Sequence, residues 1–175
     1  MIYLTLLIPV VVAIGLIGFT RLTGARNLVD ELLAEVNMHL GDRHDLIPAL
    51  VERAREYAEE EPAVFHALGQ VRTHCMNIGE LQGKMEAETA CTGHLKQFLS
   101  LAGCVPPLKQ DRYFVEHLER LTKTEEQISQ TIRGYNAAVR KYNALLETGM
   151  TGMVAGLLSF RPESPFEIKL VTIGS

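Results

Sequence analysis

Residues 114–146, FVEHLERLTKTEEQISQTIRGYNAAVRKYNALL, decide the class of fold. Along them one set of positions alternates by four and three without a break: Phe114, Leu118, Leu121, Glu125, Ile128, Ile132, Tyr135, Val139, Tyr142 and Leu146. Because this spacing places the whole set on one side of a helix, the stretch predicts a single long α-helix of about forty residues, about 60 Å in length, with coiled-coil-like packing. Such a helix must pack against several shorter helices or against a second copy of itself.

Glu125 is the charged residue on this otherwise apolar stripe. Burying an unpaired carboxylate costs several kcal/mol, so this side chain must have a partner or reach water. Arg43 and Arg72 are the candidate partners, since each lies near an apolar stripe of another predicted helix. We interpret the expected ion pair as one that fixes the register of the helices. The alternative is that Glu125 belongs to a functional site.

The same stripe contains a repeated dipeptide, Tyr135-Asn136 and Tyr142-Asn143, whose two copies lie one heptad apart. This spacing places both tyrosines on one face of the helix and both asparagines beside them. We therefore expect these four residues, like Glu125, to be candidate residues of a polar core.

Helical periodicity also dominates the rest of the chain, which predicts an all-α fold. Apolar positions at steps of three and four extend a first helix to about Leu40, and Gly41 with Asp42 forms a plausible interruption. A second helix would then begin with Asp45 as its N-cap and Pro48 in its first turn. The alternative is one long helix that is kinked at Pro48.

Further helices are expected at residues 62–85 and 95–102, although glycines weaken the helical pattern in this part of the chain. A connection is expected at residues 103–107, where a glycine and two prolines end the pattern. Residues 148–160 carry no charge and are too few to span a bilayer. They predict a short helix that closes one end of the bundle or, alternatively, a segment in the membrane interface. Residues 161–175 predict an irregular C-terminal tail.

Residues 2–19 form an uncharged run with twelve Leu, Ile, Val or Phe side chains. The run is long enough to cross a bilayer, and a cleaved signal peptide would show a basic start and a small-residue cleavage site. We therefore expect residues 1–20 to be a single-pass anchor in the lipid bilayer and residues 21–160 to form a helical bundle. Arg21 and Arg26 follow the run, so the positive-inside rule places the bundle in the cytoplasm.

Composition and motifs disfavour several classes of function. The net charge of −4 argues against a nucleic-acid partner. Cys75, Cys91 and Cys104 form an odd set without a CxxC pair, which is compatible with reduced thiols. Cys91 and His94 share a helical i, i+3 spacing, but no further ligand recurs nearby at such spacing, so we expect no metal site. The chain contains no phosphate loop, serine elbow or kinase signature, and we expect neither catalytic residues nor a cofactor.

Two blocks of the sequence together match a known pattern. Residues 43–51, RHDLIPALV, are similar to the signature Arg-Arg-Tyr-Asp-Leu-Ile-Pro-Asn-Leu-Val. Further along, Leu108-Lys109, Thr124-Glu125, the doubled Tyr-Asn pair and Phe166-Glu167 occur in the expected order. The chain therefore resembles the LemA family over residues 27–167. It departs from that family at His44, where Tyr is usual, and at Ala49, where Asn is usual.

The resemblance implies an N-terminal transmembrane helix that carries a cytoplasmic antiparallel bundle of long helices, with no established enzymatic activity. It adds Arg43, Asp45 and Pro48 to the candidate residues of the polar core. One hypothesis is a scaffold or adaptor at the cell membrane, with an unknown protein partner and possible homo-oligomerisation. The alternative, suggested by the polar residues and histidines, is a sensor that binds a metal or small ligand in the bundle core.

Overall fold

The computed structural model describes the backbone of residues 2–57 and 62–171, and their side chains except those of residues 2–11 and Met150. Within these ranges the chain forms six helices and no strand, which confirms the all-α prediction. The helices are α1 Ile2–Arg55, α2 Pro62–Asn77, α3 Leu81–Gly103, α4 Pro106–Gln110, α5 Arg112–Glu147 and α6 Gly149–Leu157.

The long helix predicted from the heptad pattern is α5, which has 36 residues. Its start is fixed by Asp111, whose Oδ1 accepts the backbone N–H of Phe114 at 2.9 Å. The other carboxylate oxygen of Asp111 accepts a hydrogen bond of 2.8 Å from Arg53 Nε of α1. These bonds, that of Arg53 first, lower the pKa of Asp111 to about 2. A single carboxylate thus caps α5 and binds it to the C-terminal end of α1.

Helix α1 continues without a break through Gly41, Asp42 and Asp45. The predicted interruption and the predicted N-cap at Asp45 are therefore wrong, and the alternative of one long helix agrees with the continuous helix observed. A glycine in an exposed helix costs only about 1 kcal/mol. Leu40 and Arg43, on either side of the glycine, are both almost completely buried, and helical geometry lets both point into the protein.

Pro48 is tolerated inside α1 because another helix satisfies the hydrogen-bond acceptor that it leaves free. Proline has no N–H to donate to the carbonyl four residues earlier, which here belongs to His44. Arg72 of α2 donates its Nε–H to this oxygen at 2.6 Å. Arg72 was one of the two expected partners of Glu125. The structure shows instead that it supports the backbone of α1.

Helices α2 and α3 are separated by residues 78–80, so the helix predicted over residues 62–85 ends earlier than expected, at Asn77. The predicted connection at residues 103–107 begins where expected, but α4 starts within it at Pro106. Helices α1, α2 and α3 contribute to an apolar core that includes Leu50, Phe65, Leu68, Leu95 and Phe98. Phe98 packs edge-to-face against Phe65 with ring centroids 6.0 Å apart, which is a favourable aromatic geometry.

The chain divides into two compact units. Unit 1 contains residues 1–35 and 132–165, and unit 2 contains residues 36–131 and 166–175. Both units therefore include part of α1 and part of α5. In both units, most of the buried apolar residues of α1 and α5 fall on the apolar stripes identified in the sequence.

In unit 1, the Tyr-Asn repeat of α5 binds the segment that follows α6. The Tyr142 hydroxyl donates to the carbonyl of Arg161, and the Tyr135 hydroxyl to that of Ser164, each at 3.0 Å. The Asn143 amide exchanges two hydrogen bonds with the backbone of Glu163, at 2.8 and 3.0 Å. Both tyrosines are completely buried. The segment has no regular structure, so these side chains supply the hydrogen bonds that its backbone lacks.

Helix α6 agrees with the short helix expected within residues 148–160. It lies close to α1 in unit 1, since a Cβ atom on Gly18 would be 3.2 Å from the Val154 side chain. The described part of the C-terminal tail is irregular, as expected, but it packs against the helices. Phe166 and Val171 are buried in unit 2, and residues 172–175 lie outside the described chain.

Across the described stretches, no helix is both long and apolar enough to cross a membrane. Of the predicted anchor at residues 1–20, Met1 and the side chains of residues 2–11 lie outside the described part of the chain.

The replacement of the helical hydrogen bond lost at Pro48 by one from Arg72 can be tested by a double-mutant cycle. Arg72→Ala leaves the His44 carbonyl without its donor and should lower the free energy of unfolding by about 1–3 kcal/mol. In a Pro48→Ala background, the new N–H of residue 48 can donate to the same carbonyl. The loss caused by Arg72→Ala should then shrink by about 1 kcal/mol in urea unfolding.

Asp45→Ala is the matched control, because Arg72 also lies 3.8 Å from the exposed carboxylate of Asp45. An exposed pair at this distance contributes less than about 1 kcal/mol. If Asp45→Ala were as damaging as Arg72→Ala, or if the two backgrounds gave equal losses, the backbone role of Arg72 would be rejected.

Candidate functional site

The guanidinium of Arg43 lies at the centre of unit 2 with no exposed surface. Its Nη2 is bound to Glu88 of α3, and its Nη1 donates to Glu125 of α5 at 3.2 Å and to Thr92 of α3 at 3.3 Å. Glu88 and Thr92 are four residues apart on α3 and therefore lie on the same face of that helix. Three helices thus contribute to one buried ionic cluster.

Within this cluster, Arg43 and Glu88 favour each other's ionised forms. Burial disfavours the charged guanidinium, but attraction to Glu125 and Glu88 raises the pKa of Arg43. Burial also disfavours the Glu88 carboxylate, but the hydrogen bond from His44 and the charge of Arg43 lower its pKa. The two carboxylates outnumber the guanidinium by one. The cluster of Arg43, Glu88 and Glu125 therefore has a formal charge of −1.

Glu125 also binds the C-terminal segment. Its Oε2 accepts the backbone N–H of Val171 at 3.2 Å, while Oε1 accepts from Arg43. Val171 packs into the same apolar core as α2 and α3. The Glu125 carboxylate therefore binds both the Arg43 guanidinium of α1 and the backbone N–H of Val171. The heptad pattern predicted only an ion pair that fixes the register of the helices.

Beside the ionic cluster lies a second group of buried polar side chains. The ligand atoms of His44, Cys75 and Glu88 all lie within 4.8 Å of one another, and all three residues are buried. His44 Nε2 is 2.9 Å from Glu88 Oε1. The other ring nitrogen of His44, Nδ1, is buried without a directed hydrogen bond. Cys91 of α3 is also completely buried and interacts with both His44 and Cys75.

The two thiols affect each other's protonation. Contact with the Cys75 thiol, and then with His44 and Arg43, lowers the pKa of Cys91 against the effect of burial. The same contact, together with burial, raises the pKa of Cys75. Interaction with Cys91 and Glu88 raises the pKa of His44, although burial opposes this shift. The site therefore favours one thiolate beside an imidazole that readily holds a proton.

The structure brings together only some of the residues proposed from sequence. Arg43 and Glu125 meet in unit 2, so of the two arginines suggested, Arg43 is the partner of the carboxylate. The Asp45 side chain is 79% exposed and lies outside the core. Pro48 is also exposed. The remaining candidates, which belong to unit 1, are Tyr135, Asn136, Tyr142 and Asn143.

Sequence reasoning missed Glu88, Thr92, His44 and the pairing of the two buried cysteines. The signal for the first two was present, since Glu88 and Thr92 lie four residues apart among apolar neighbours on α3. His94 does not belong to the group of metal-ligating atoms, whose imidazole comes from His44 of α1 instead.

The fold and its buried ionic cluster define an all-α helical-bundle protein. A sequence model of the LemA family matches residues 32–172, which is most of the chain. The protein therefore belongs to the LemA family, as the two sequence blocks suggested. No curated protein matches the chain.

The ionic cluster predicts a definite order of stability among variants. Glu125→Ala removes one of the two carboxylates that face Arg43 and frees the Val171 N–H, which should cost about 3–5 kcal/mol in urea unfolding. Arg43→Met should cost more, because it leaves two buried carboxylates without a counter-charge.

Glu126→Ala provides the control, since Glu126 is the exposed neighbour of Glu125 on the same helix. Surface substitutions of this kind change stability by about 0.5 kcal/mol or less. Equal effects of Glu125→Ala and Glu126→Ala would contradict the structural role of the cluster.

Proposed function

We propose that this LemA-family protein is a non-catalytic scaffold or adaptor attached to the cell membrane through its N-terminal helix. The family assignment identifies a helical module without a known function, so the proposal depends on the surface of this chain. The observation that carries it is the exposed apolar side of α1 before its first charged residue.

Four large apolar side chains of α1 are exposed between residues 12 and 19. The exposed fractions are 54% for Val12, 59% for Leu16, 57% for Ile17 and 43% for Phe19. The first charged side chain of the protein is Arg21, at the end of this region. Side chains of this kind are unfavourable in water when they are contiguous, and they suit contact with lipid.

Helix α6 supports the same proposal, because it adds apolar surface to the same unit. Met153 is 74% exposed, Leu157 84% and Leu158 53%. Gly18 allows α6 to lie close to α1, and residues 148–160 carry no charge. An uncharged helix beside an apolar one suits the interfacial layer of a bilayer, where it would support the anchor.

A non-catalytic role is supported by the way the polar core uses its groups. Arg43, Glu88 and Glu125 bind one another, and Glu125 also holds the backbone of Val171. A structural role in holding the helices together is therefore sufficient to explain these buried charges. We further propose that the bundle lies in the cytoplasm and presents its surface to a protein partner or to a second copy of itself.

Membrane attachment predicts that the chain stays in the pellet when membranes are washed with alkaline carbonate. Val12→Asp combined with Leu16→Asp should release it, because an aspartate within an inserted helix costs about 2.5–3.5 kcal/mol. The control is Met76→Asp, which adds a charge at a residue 58% exposed on α2 and should leave the chain in the pellet. Release of the unmodified chain by carbonate would contradict the proposal.

The cytoplasmic orientation can be read from Cys104, because Cys104 is exposed whereas Cys75 and Cys91 are buried. A membrane-impermeant maleimide should leave Cys104 unlabelled in intact cells and label it after lysis. Cys104→Ser should abolish the labelling seen after lysis, which shows that the signal comes from this thiol. Labelling of Cys104 without lysis would place the bundle on the outer side.

A further inference from the structure

Three helices bring an imidazole, two thiols and a carboxylate to one buried place in unit 2. His44 comes from α1, Cys75 from α2, and Glu88 and Cys91 from α3, three residues apart on one face. We propose that this group is a binding site for a divalent transition-metal ion, for which Zn²⁺ is the best fit. It goes beyond the scaffold role and does not depend on membrane attachment.

The donor atoms match the preferences of zinc. Zn²⁺ binds thiolate sulfur at about 2.3 Å and imidazole nitrogen or carboxylate oxygen at about 2.0–2.2 Å, usually in a tetrahedron. Such bonds place the donor atoms about 3–4 Å from one another. The ligand atoms of His44, Cys75 and Glu88 already lie within 4.8 Å of one another. Cys91 lies outside this group of three but interacts with both Cys75 and His44, so it is the nearest candidate for a fourth donor.

The two ring nitrogens of His44 have different surroundings, which distinguishes this residue from one that only forms a buried hydrogen bond. One ring nitrogen, Nε2, is 2.9 Å from Glu88, whereas Nδ1 is buried without a directed hydrogen bond. Histidines that bind metals commonly use one nitrogen for the ion and the other for a carboxylate, which orients the ring. Glu88 therefore has two possible uses, as a direct ligand or as the group that orients His44. Either use leaves His44 and the two thiols as ligands.

The charge of the core is compatible with a bound Zn²⁺ ion. Arg43, Glu88 and Glu125 sum to −1, and all three are buried. Both carboxylates bind Arg43, so its positive charge offsets one of their two negative charges. Because Zn²⁺ brings two positive charges and replaces the protons of two thiols, its binding leaves this sum unchanged.

Binding exchanges protons for the ion. The S–H protons of Cys75 and Cys91 and any proton on the His44 nitrogen that binds the ion leave to solvent, and their bonds are replaced by bonds to Zn²⁺. No electron is transferred. The bound ion would link α1, α2 and α3, and its stabilisation of the folded state should rise with the logarithm of the ratio of its concentration to the dissociation constant.

The test uses the purified 175-residue chain under a phosphine reductant, with Zn²⁺ and Co²⁺ as probes. We expect about one Zn²⁺ per chain by mass spectrometry of the metal, and a thiolate-to-metal charge-transfer band with Co²⁺. Cys75→Ser should lower the Zn²⁺ affinity at least about 100-fold, since loss of a direct ligand exceeds the effect of losing an outer partner. His44→Gln should weaken the affinity and retain the thiolate band.

Two matched variants separate this site from other sources of binding. Cys104→Ser removes the exposed thiol, and His94→Gln removes the imidazole nearest in sequence to Cys91; neither should change the affinity. Binding that is lost in either of these variants, or unchanged in Cys75→Ser, would overturn the proposal. Absence of the thiolate band in the unmodified chain would do the same, and this measurement does not require that any variant folds.

Discussion

A buried arginine charge is the constraint on which the core of unit 2 depends. Arg43 has no exposed surface, so its guanidinium must be matched by carboxylates within the protein. Glu88 and Glu125 supply them from α3 and α5. Sliding any of the three helices by one turn, about 5.4 Å, would leave a charge unpaired in an apolar environment. Apolar packing alone tolerates such slips far better, since it has no direction.

The same rule, that buried polar groups must be satisfied, explains how irregular parts of the chain are held. The His44 carbonyl loses its helical partner at Pro48 and gains Arg72 instead. The segment after α6 has no regular structure, and Asn143 pairs with its backbone in both directions. Side chains thus replace missing backbone hydrogen bonds at both of these places. This leaves a long helix intact despite a proline and gives an irregular segment a defined path.

His44 is a feature of this chain within the helical architecture of the family. The family pattern has tyrosine at this position, whereas the imidazole here lies beside Glu88 and two buried cysteines. The ionic cluster next to it contributes to the protonation of these groups, because the charge of Arg43 acts to lower the pKa of Glu88, Cys91 and His44 alike. The structural centre and the candidate ligand group are therefore neighbours that share Glu88. A change in one is transmitted electrostatically to the other.

Sequence alone determined the helical class, the extent of α5 and the need of Glu125 for a partner. These properties depend on local periodicity, because a four-three alternation defines one helix face wherever that helix packs. Only the tertiary structure decided that Arg43 is this partner, that Arg72 serves the backbone at Pro48, and that Cys91 meets His44 rather than His94. Glu125 and Arg43 are 82 residues apart, and Arg72 and His44 are 28 apart. No helical spacing relates such positions, so packing between helices had to bring them together.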